Sequence, residues 1–157
     1  MGVTRPTLIL GVGNLLMGDE GVGIHAIRRL ENETLPDTVT LLDGGTGGFH
    51  LLSLFREYDP IILIDATMDG KPIGEVALLR PRFASDFPRT LSAHDIGLRD
   101  LLESAALLGP LPRLYLVTIS IGEIKPMTTD LSAPIENTLS RVVETVWTVL
   151  RSLQAPP

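Results

Sequence analysis

The sequence predicts a three-layer α/β/α protein in which helices cover both faces of a five-stranded, mostly parallel sheet. The first observation behind this prediction is that short apolar segments, bounded by Gly, Pro or Asp, alternate along the chain with segments of helical periodicity. The second is that the first, third and fifth apolar segments are hydrophobic almost throughout, which is typical of strands buried on both faces. At 157 residues the chain has the length of one domain, so we expect a single domain over residues 1–157.

Five short segments are expected to form the strands, and four longer segments the helices. The strand segments are rich in apolar and β-branched residues and cover residues 8–11, 39–42, 61–64, 76–79 and 114–119. The helical segments carry apolar residues at helical spacing and cover residues 22–33, 49–58, 96–108 and about 134–153.

The connection between the third and fourth strands is too short for a parallel crossover. It holds only about ten residues, from 65 to 75, whereas a parallel connection usually takes a dozen or more. We therefore expect the fourth strand to run antiparallel at an edge of the sheet. The chain must then return through residues 80–93 to the carboxyl ends of the parallel strands, where open α/β sheets bind their ligands.

Composition excludes several classes of function. A formal net charge of −6 argues against broad electrostatic binding to nucleic acid or anionic lipid, and the chain has no cysteine for a disulfide or a thiolate metal site. No apolar run approaches the eighteen or so residues of a membrane helix, and the short apolar stretch near the N-terminus lacks the pattern of a signal peptide. We therefore expect a cytoplasmic protein with no nucleic-acid or membrane partner. Composition does not give the oligomeric state, and a monomer that meets its substrate transiently is the default expectation.

Polar side chains follow the predicted strands at the edge where ligands bind. Glu20 comes after the first strand, Asp65 ends the third, and His94 stands near the start of the third helix. Carboxylate oxygens and imidazole nitrogens are donors for a hard or borderline divalent cation, and a helix N-terminus favours the neutral, coordinating form of histidine. Glu20, Asp65 and His94 therefore form a candidate metal site, with positions open for water or for a ligand from another molecule.

Structural roles could also explain these residues. Glu20 could interact with a helix dipole, Asp65 could form a turn, and His94 could flank a helix cap. His25 and His50 fall inside helical segments and are expected to be ordinary helical residues. The metal site therefore depends on the fold bringing the three donors together.

Two glycine-rich loops are expected to support this edge. Their residues of interest are Gly11, Gly13, Asn14 and Asp19 after the first strand, and Asp43, Gly44, Gly45 and Thr46 after the second. We expect Asn14 to fix its turn by local hydrogen bonds, Asp19 to cap a helix, and the glycines to meet requirements of the backbone. The 120–131 loop after the fifth strand could line a substrate groove or simply connect to the last helix.

A dinucleotide-binding site is a weaker interpretation of the same loops. Gly11, Gly13 and Asp43 imitate parts of the nucleotide fingerprint, but Leu16 stands where its third glycine is required. Asp19 and Glu20, later in the same loop, would also repel a pyrophosphate at close range.

Four motifs follow one another along the chain. They are Gly11-Val12-Gly13-Asn14-Leu15-Leu16-Met17-Gly18-Asp19-Glu20-Gly21-Val22-Gly23, Asp43-Gly44-Gly45-Thr46, Ile64-Asp65-Ala66 and Ser92-Ala93-His94. Together they resemble the motifs of the hydrogenase maturation proteases, the endopeptidases that trim the C-terminus of the large subunit of nickel–iron hydrogenases. The resemblance covers nearly the whole chain and implies a phosphorylase/hydrolase-like fold whose five-stranded sheet has one antiparallel strand.

The resemblance also implies that Glu20, Asp65 and His94 contact the metal, and that the metal is nickel already seated in the precursor of the large subunit. The chain would then be a metal- and aspartate-assisted endopeptidase that removes the C-terminal extension of that precursor. His-Glu-x-x-His and Gly-x-Ser-x-Gly motifs are absent, which argues against a resident catalytic zinc and a serine nucleophile. A nickel-sensing chaperone that binds without hydrolysis is the alternative.

Overall fold

The computed structural model describes residues 4–88 and 98–154. Its strands are β1 (Thr7–Gly11), β2 (Val39–Asp43), β3 (Ile61–Thr67), β4 (Val76–Leu79) and β5 (Leu114–Ser120). They form one five-stranded sheet in the order β2-β1-β3-β5-β4. The first three strands and β5 run parallel, whereas β4 pairs antiparallel with β5 at the edge, which confirms the predicted mixed sheet.

The strand register brings the carboxyl ends of the parallel strands to one edge. Gly11 of β1 lies opposite Asp43 of β2 and opposite Ile64 of β3. Asp65 lies opposite Thr118 of β5. The prediction that Asp65 ends the third strand was wrong, because pairing with β5 continues beyond it to the end of β3.

Helices cover both faces of the sheet and bury two hydrophobic cores. They are α1 (Val22–Leu30), α2 (Leu54–Glu57), α3 (Leu98–Leu108), α4 (Ala133–Glu136) and α5 (Leu139–Gln154). α1 and α5 pack on one face, and α2 and α3 on the other. Successive residues of a strand face different cores: Ile9 belongs to the first core, and its neighbours Leu8 and Leu10 belong to the second. Burial on both faces explains why β1, β3 and β5 are apolar almost throughout.

Two of the predicted helices are interrupted. The 49–58 segment forms a 3₁₀ helix, Phe49–Leu51, followed by α2, and the 134–153 segment is divided between α4 and α5. The second interruption falls at Thr138, whose hydroxyl donates to the Ile135 carbonyl at 2.6 Å and so competes with the helical backbone pattern. Within the part of the chain that the structure describes, none of the helices has the length and apolarity needed to cross a membrane.

Candidate active site

Backbone hydrogen bonds join the loops at the carboxyl edge of the sheet. The N–H of Gly13 donates to the Gly45 carbonyl at 2.8 Å, and the N–H of Val12 donates to the Ile64 carbonyl at 3.0 Å. The loop after β1 is therefore fixed to the loop after β2 on one side and to β3 on the other.

Glycines allow the segment that carries Glu20 to lie directly on these strand ends. Glu20 belongs to a 3₁₀ helix, Gly18–Gly21, which runs into α1. A Cβ atom on Gly13 would lie 2.3 Å from the carbonyl oxygen of Glu20, and one on Gly23 would lie 2.5 Å from that of Ile64. Only a residue without a Cβ permits these approaches, which bring the 3₁₀ helix that carries Glu20 against the β1 loop and against β3.

Glu20 and Asp65 are both buried at this edge. Glu20 is 1% exposed and Asp65 is 0% exposed. The Oδ1 atom of Asp65 accepts a hydrogen bond from the N–H of Ala66 at 2.8 Å. Acidic side chains are almost never fully buried without compensation by hydrogen bonds, an opposite charge or a metal ion. Two such carboxylates at the ligand-binding edge of one sheet are the strongest feature of the candidate site.

The third predicted donor, His94, lies outside the described residues, as does Asp95. Within residues 4–88 and 98–154, no three His, Cys, Asp or Glu side chains form a group that could hold a metal ion. The structure therefore brings two of the three predicted donors to the same edge, and the three-donor metal site stays a prediction.

A short turn shapes the chain before the segment that contains His94. The Asp86 carboxylate accepts hydrogen bonds from the N–H groups of Arg82 and Phe83, each at 3.0 Å. These two hydrogen bonds lower the pKa of the Asp86 carboxyl below its ordinary value, and the bond from Arg82 has the larger effect. The ionised carboxylate thus holds the 3₁₀ helix Ala84–Asp86 in place.

The polar residues of the two glycine loops shape their own turns. The Oδ1 atom of Asn14 accepts a hydrogen bond from the N–H of Leu16 at 3.0 Å, which confirms the turn-fixing role expected of Asn14. The Oδ1 atom of Asp43 accepts one from the N–H of Gly45 at 2.8 Å. Thr46 is exposed in the same loop.

Asp19 anchors the loop that follows β5. Its carboxylate accepts hydrogen bonds from the N–H and the hydroxyl of Ser132, each at 2.7 Å, and the residue is 8% exposed. Ser132 is the N-cap residue of α4, so Asp19 holds the start of a helix other than the one that follows it in sequence. No local pattern could have shown this contact, because the two residues are 113 positions apart.

The loop between β5 and α4 also lies against the 3₁₀ helix of the candidate site. Met17 and Thr128 form an isolated parallel bridge, in which the N–H of Gly18 donates to the Thr128 carbonyl at 2.9 Å. Nε2 of His25 donates to the Thr129 carbonyl at 3.0 Å. The loop therefore borders the candidate site and does more than connect two elements.

Cavities occur at both edges of the sheet. One of about 250 Å³ lies between the 3₁₀ helix and the β5–α4 loop, where Asp19, Lys125 and Asp130 contribute to its wall. Two others, of about 370 and 440 Å³, lie near the amino ends of β1 and β5 and contain none of the predicted site residues. Because open α/β sheets bind ligands at the carboxyl edge, the first cavity is relevant to the candidate site, as is another of about 380 Å³ that Asp19, Ile73 and Ser132 line at the same edge.

Replacing Asp19 by Ala is expected to destabilise the protein by roughly 1–3 kcal/mol, because the N–H and hydroxyl of Ser132 lose their acceptor. In thermal unfolding, each kcal/mol should lower Tm by about 2–4 °C for a chain of this size. Asp130→Ala is the matched control, since Asp130 is an exposed acid of the same loop, and its Tm should change by no more than about 2 °C. An equal loss of Tm in both variants would contradict the anchoring role.

The fold and the site define a class of protein: an α/β protein with a mixed sheet and two buried acids at its ligand-binding edge. The family model described as hydrogenase maturation protease matches residues 24–149 of the chain. The hydrogenase 2 maturation protease of Escherichia coli (strain K12) is 36% identical over 143 residues, which cover 87% of this chain and 87% of that protein. The hydrogenase expression/formation protein HupD of Rhizobium leguminosarum bv. viciae is 33% identical over 151 residues, 92% of this chain and 74% of that protein.

Solved structures agree with the sequence comparisons. The hydrogenase maturating endopeptidase HybD from E. coli superposes with a TM-score of 0.85 at 32% identity, over 96% of this chain and 94% of that one. The [NiFe] hydrogenase maturation protease HycI from Thermococcus kodakarensis KOD1 has the same fold, with a TM-score of 0.75 at 20% identity over 94% of this chain and 93% of that one. This chain belongs to the hydrogenase maturation protease family and is therefore an endopeptidase, a hydrolase. The family resemblance carried by its motifs is confirmed.

Proposed function

We propose that this chain is a nickel-dependent endopeptidase that removes the C-terminal extension from the large-subunit precursor of a nickel–iron hydrogenase, acting as a monomer in the cytoplasm. Membership of the hydrogenase maturation protease family supports the type of reaction, the hydrolysis of a peptide bond. The observation that carries the metal-dependent part is the burial of Glu20 and Asp65 at one edge of the sheet. Carboxylate oxygens are donors for hard and borderline divalent cations, and both acids lie at the edge where open α/β sheets bind their ligands.

The donor set fits nickel that arrives with the substrate. Glu20 and Asp65 supply carboxylate oxygens and His94 supplies an imidazole nitrogen, and both donor types bind borderline divalent cations. The chain has no cysteine, so any thiolate ligands of the ion come from the precursor. The ion is thus part of the substrate, and cleavage is restricted to precursors that already contain it.

The three side chains position the precursor for hydrolysis. By binding the ion, they hold the neighbouring peptide at the carboxyl edge of the sheet. Exclusion of bulk water from this edge strengthens the electrostatic interactions there. Water then adds to the scissile carbonyl carbon, the C–N bond breaks, and a proton passes to the departing amine. A divalent ion beside the scissile carbonyl lowers the barrier by polarising it.

The proposal is tested with nickel-loaded and nickel-free precursor. Each is incubated with the purified protein, and the intact mass of the precursor is measured over time. We expect loss of the C-terminal peptide from the nickel-loaded precursor alone, because the nickel-free form lacks the ion that binds to the buried acids. Equal cleavage of both forms would disprove the dependence on nickel while leaving the endopeptidase activity in place.

Two other results would identify a different function. Nickel-dependent binding of the precursor without any change in its mass would identify a nickel-sensing chaperone. A change in the fluorescence of a nicotinamide dinucleotide on titration with the protein would support the dinucleotide interpretation of the glycine loops.

A further inference from the structure

Leu16 and Met127 are two large apolar residues exposed beside the candidate site. They are 58% and 89% exposed, respectively. Each directly precedes a member of the Met17–Thr128 bridge, and the N–H of Thr128 donates to the Leu16 carbonyl at 3.1 Å. The backbones of Leu16 and Met127 are therefore neighbours, and both are held next to the 3₁₀ helix Gly18–Gly21 of the candidate site.

Met127 combines a strained backbone with an exposed apolar side chain. Its φ is 64°, in the left-handed region that favours glycine, and it alone has a positive φ among the non-glycine residues that the structure describes. A glycine at this position would adopt the same φ without steric strain. The methionine side chain is stabilised only by burial against another apolar group, and its flexible thioether suits an irregular protein surface.

Exposed apolar residues also surround the rest of this edge. Phe49 follows β2 and is 51% exposed, and Met68 follows β3 and is 43% exposed. Each loop after a parallel strand thus presents at least one large apolar residue at this edge, a pattern typical of protein interaction sites. Because Glu20 and Asp65 are buried, a protein that reaches them has to cover these loops.

We infer that Leu16 and Met127 form an apolar clamp that binds a hydrophobic side chain of the hydrogenase precursor and so sets the affinity of the enzyme for it. The inference rests on the proposed function, since the precursor is the protein that must reach the buried acids. The clamp binds the substrate without contacting the reacting atoms. Its loss therefore weakens the substrate complex and its transition state equally, which raises KM and leaves kcat unchanged.

The variants Met127→Gly and Leu16→Ser test the clamp. Glycine accepts the positive φ, so Met127→Gly removes the side chain and keeps the loop. For the nickel-loaded precursor we expect KM to rise about tenfold in each variant, kcat to stay within about twofold of the wild-type value, and Tm of Met127→Gly to be no lower than that of the wild type. A merely structural role of Met127 would leave KM unchanged.

Leu107→Ser is the matched control, because Leu107 is 88% exposed near the end of α3, at the opposite edge of the sheet. Its KM should equal the wild-type value, and a similar rise in this variant would overturn the clamp.

Wild-type KM in both clamp variants would also overturn it, although processing by the wild type would still support the proposed function. Absence of processing by the wild type would overturn the proposed function itself. A wild-type dimer that the clamp variants convert to a monomer in sedimentation would show that the clamp binds a second copy of the chain, and the inference would fail.

Discussion

Glu20→Gln and Asp65→Asn are each expected to slow the processing of nickel-loaded precursor by at least about 1000-fold while leaving the protein folded. Both amides keep the shape of the side chain but lose the charge that binds a divalent cation. The asparagine retains the oxygen that accepts the hydrogen bond from the N–H of Ala66. Each amide is nearly isosteric with the acid that it replaces and still forms hydrogen bonds, so Tm should fall by only a few degrees. The release of the C-terminal peptide and thermal unfolding are the two measurements.

His94→Ala is expected to abolish processing in the same way, because it removes the nitrogen donor of the predicted site. Glu103→Gln is the control for the loss of one negative charge, since Glu103 is an exposed residue of α3. Its processing rate should match the wild type. A wild-type rate in any one of the three site variants would remove that residue from the site, and a slow rate in Glu103→Gln would show that net charge, and not metal binding, controls the reaction.

The sheet could be predicted because its strands carry their signal locally. The apolar runs of β1, β3 and β5 are long enough to be recognised, and the shortness of the connection before β4 determines the antiparallel direction of that strand. The end of β3 could not be predicted in this way. Asp65 and Thr67 are polar, and they belong to the strand because β5 provides pairing partners for them.

For the candidate site, the sequence alone could predict only the positions of residues that come at or just after the ends of strands. Parallel strands end at the same edge, so the sequence places Glu20 and Asp65 there without any knowledge of packing. The contact of Asp19 with Ser132 and the bridge between Met17 and Thr128 depend on the path of the β5–α4 loop. That path is a tertiary property, and no periodicity or spacing in the sequence encodes it.

Gly23→Ala is expected to cause a large loss of stability, roughly 2–4 kcal/mol, or about 5–15 °C in Tm. The new Cβ would lie 2.4 Å from the Val12 carbonyl oxygen and 2.5 Å from that of Ile64. Both contacts are with backbone atoms of the β1 loop and of β3, which cannot rotate away as the end of a side chain can. Alanine is the better helix former by only about 1 kcal/mol, which is too little to offset the displacement of α1.

Gly109→Ala is the matched control, because a Cβ on Gly109 would meet no atom within 4 Å. Its Tm should stay within about 2 °C of the wild-type value, since the substitution adds no contact. Gly23→Ala should also slow processing, since the 3₁₀ helix that carries Glu20 runs directly into α1 and moves with it away from β3. A Gly23→Ala protein with wild-type Tm would show that α1 does not depend on this close approach. Wild-type processing by a destabilised Gly23→Ala protein would show that the position of Glu20 relative to Asp65 is not critical for the reaction.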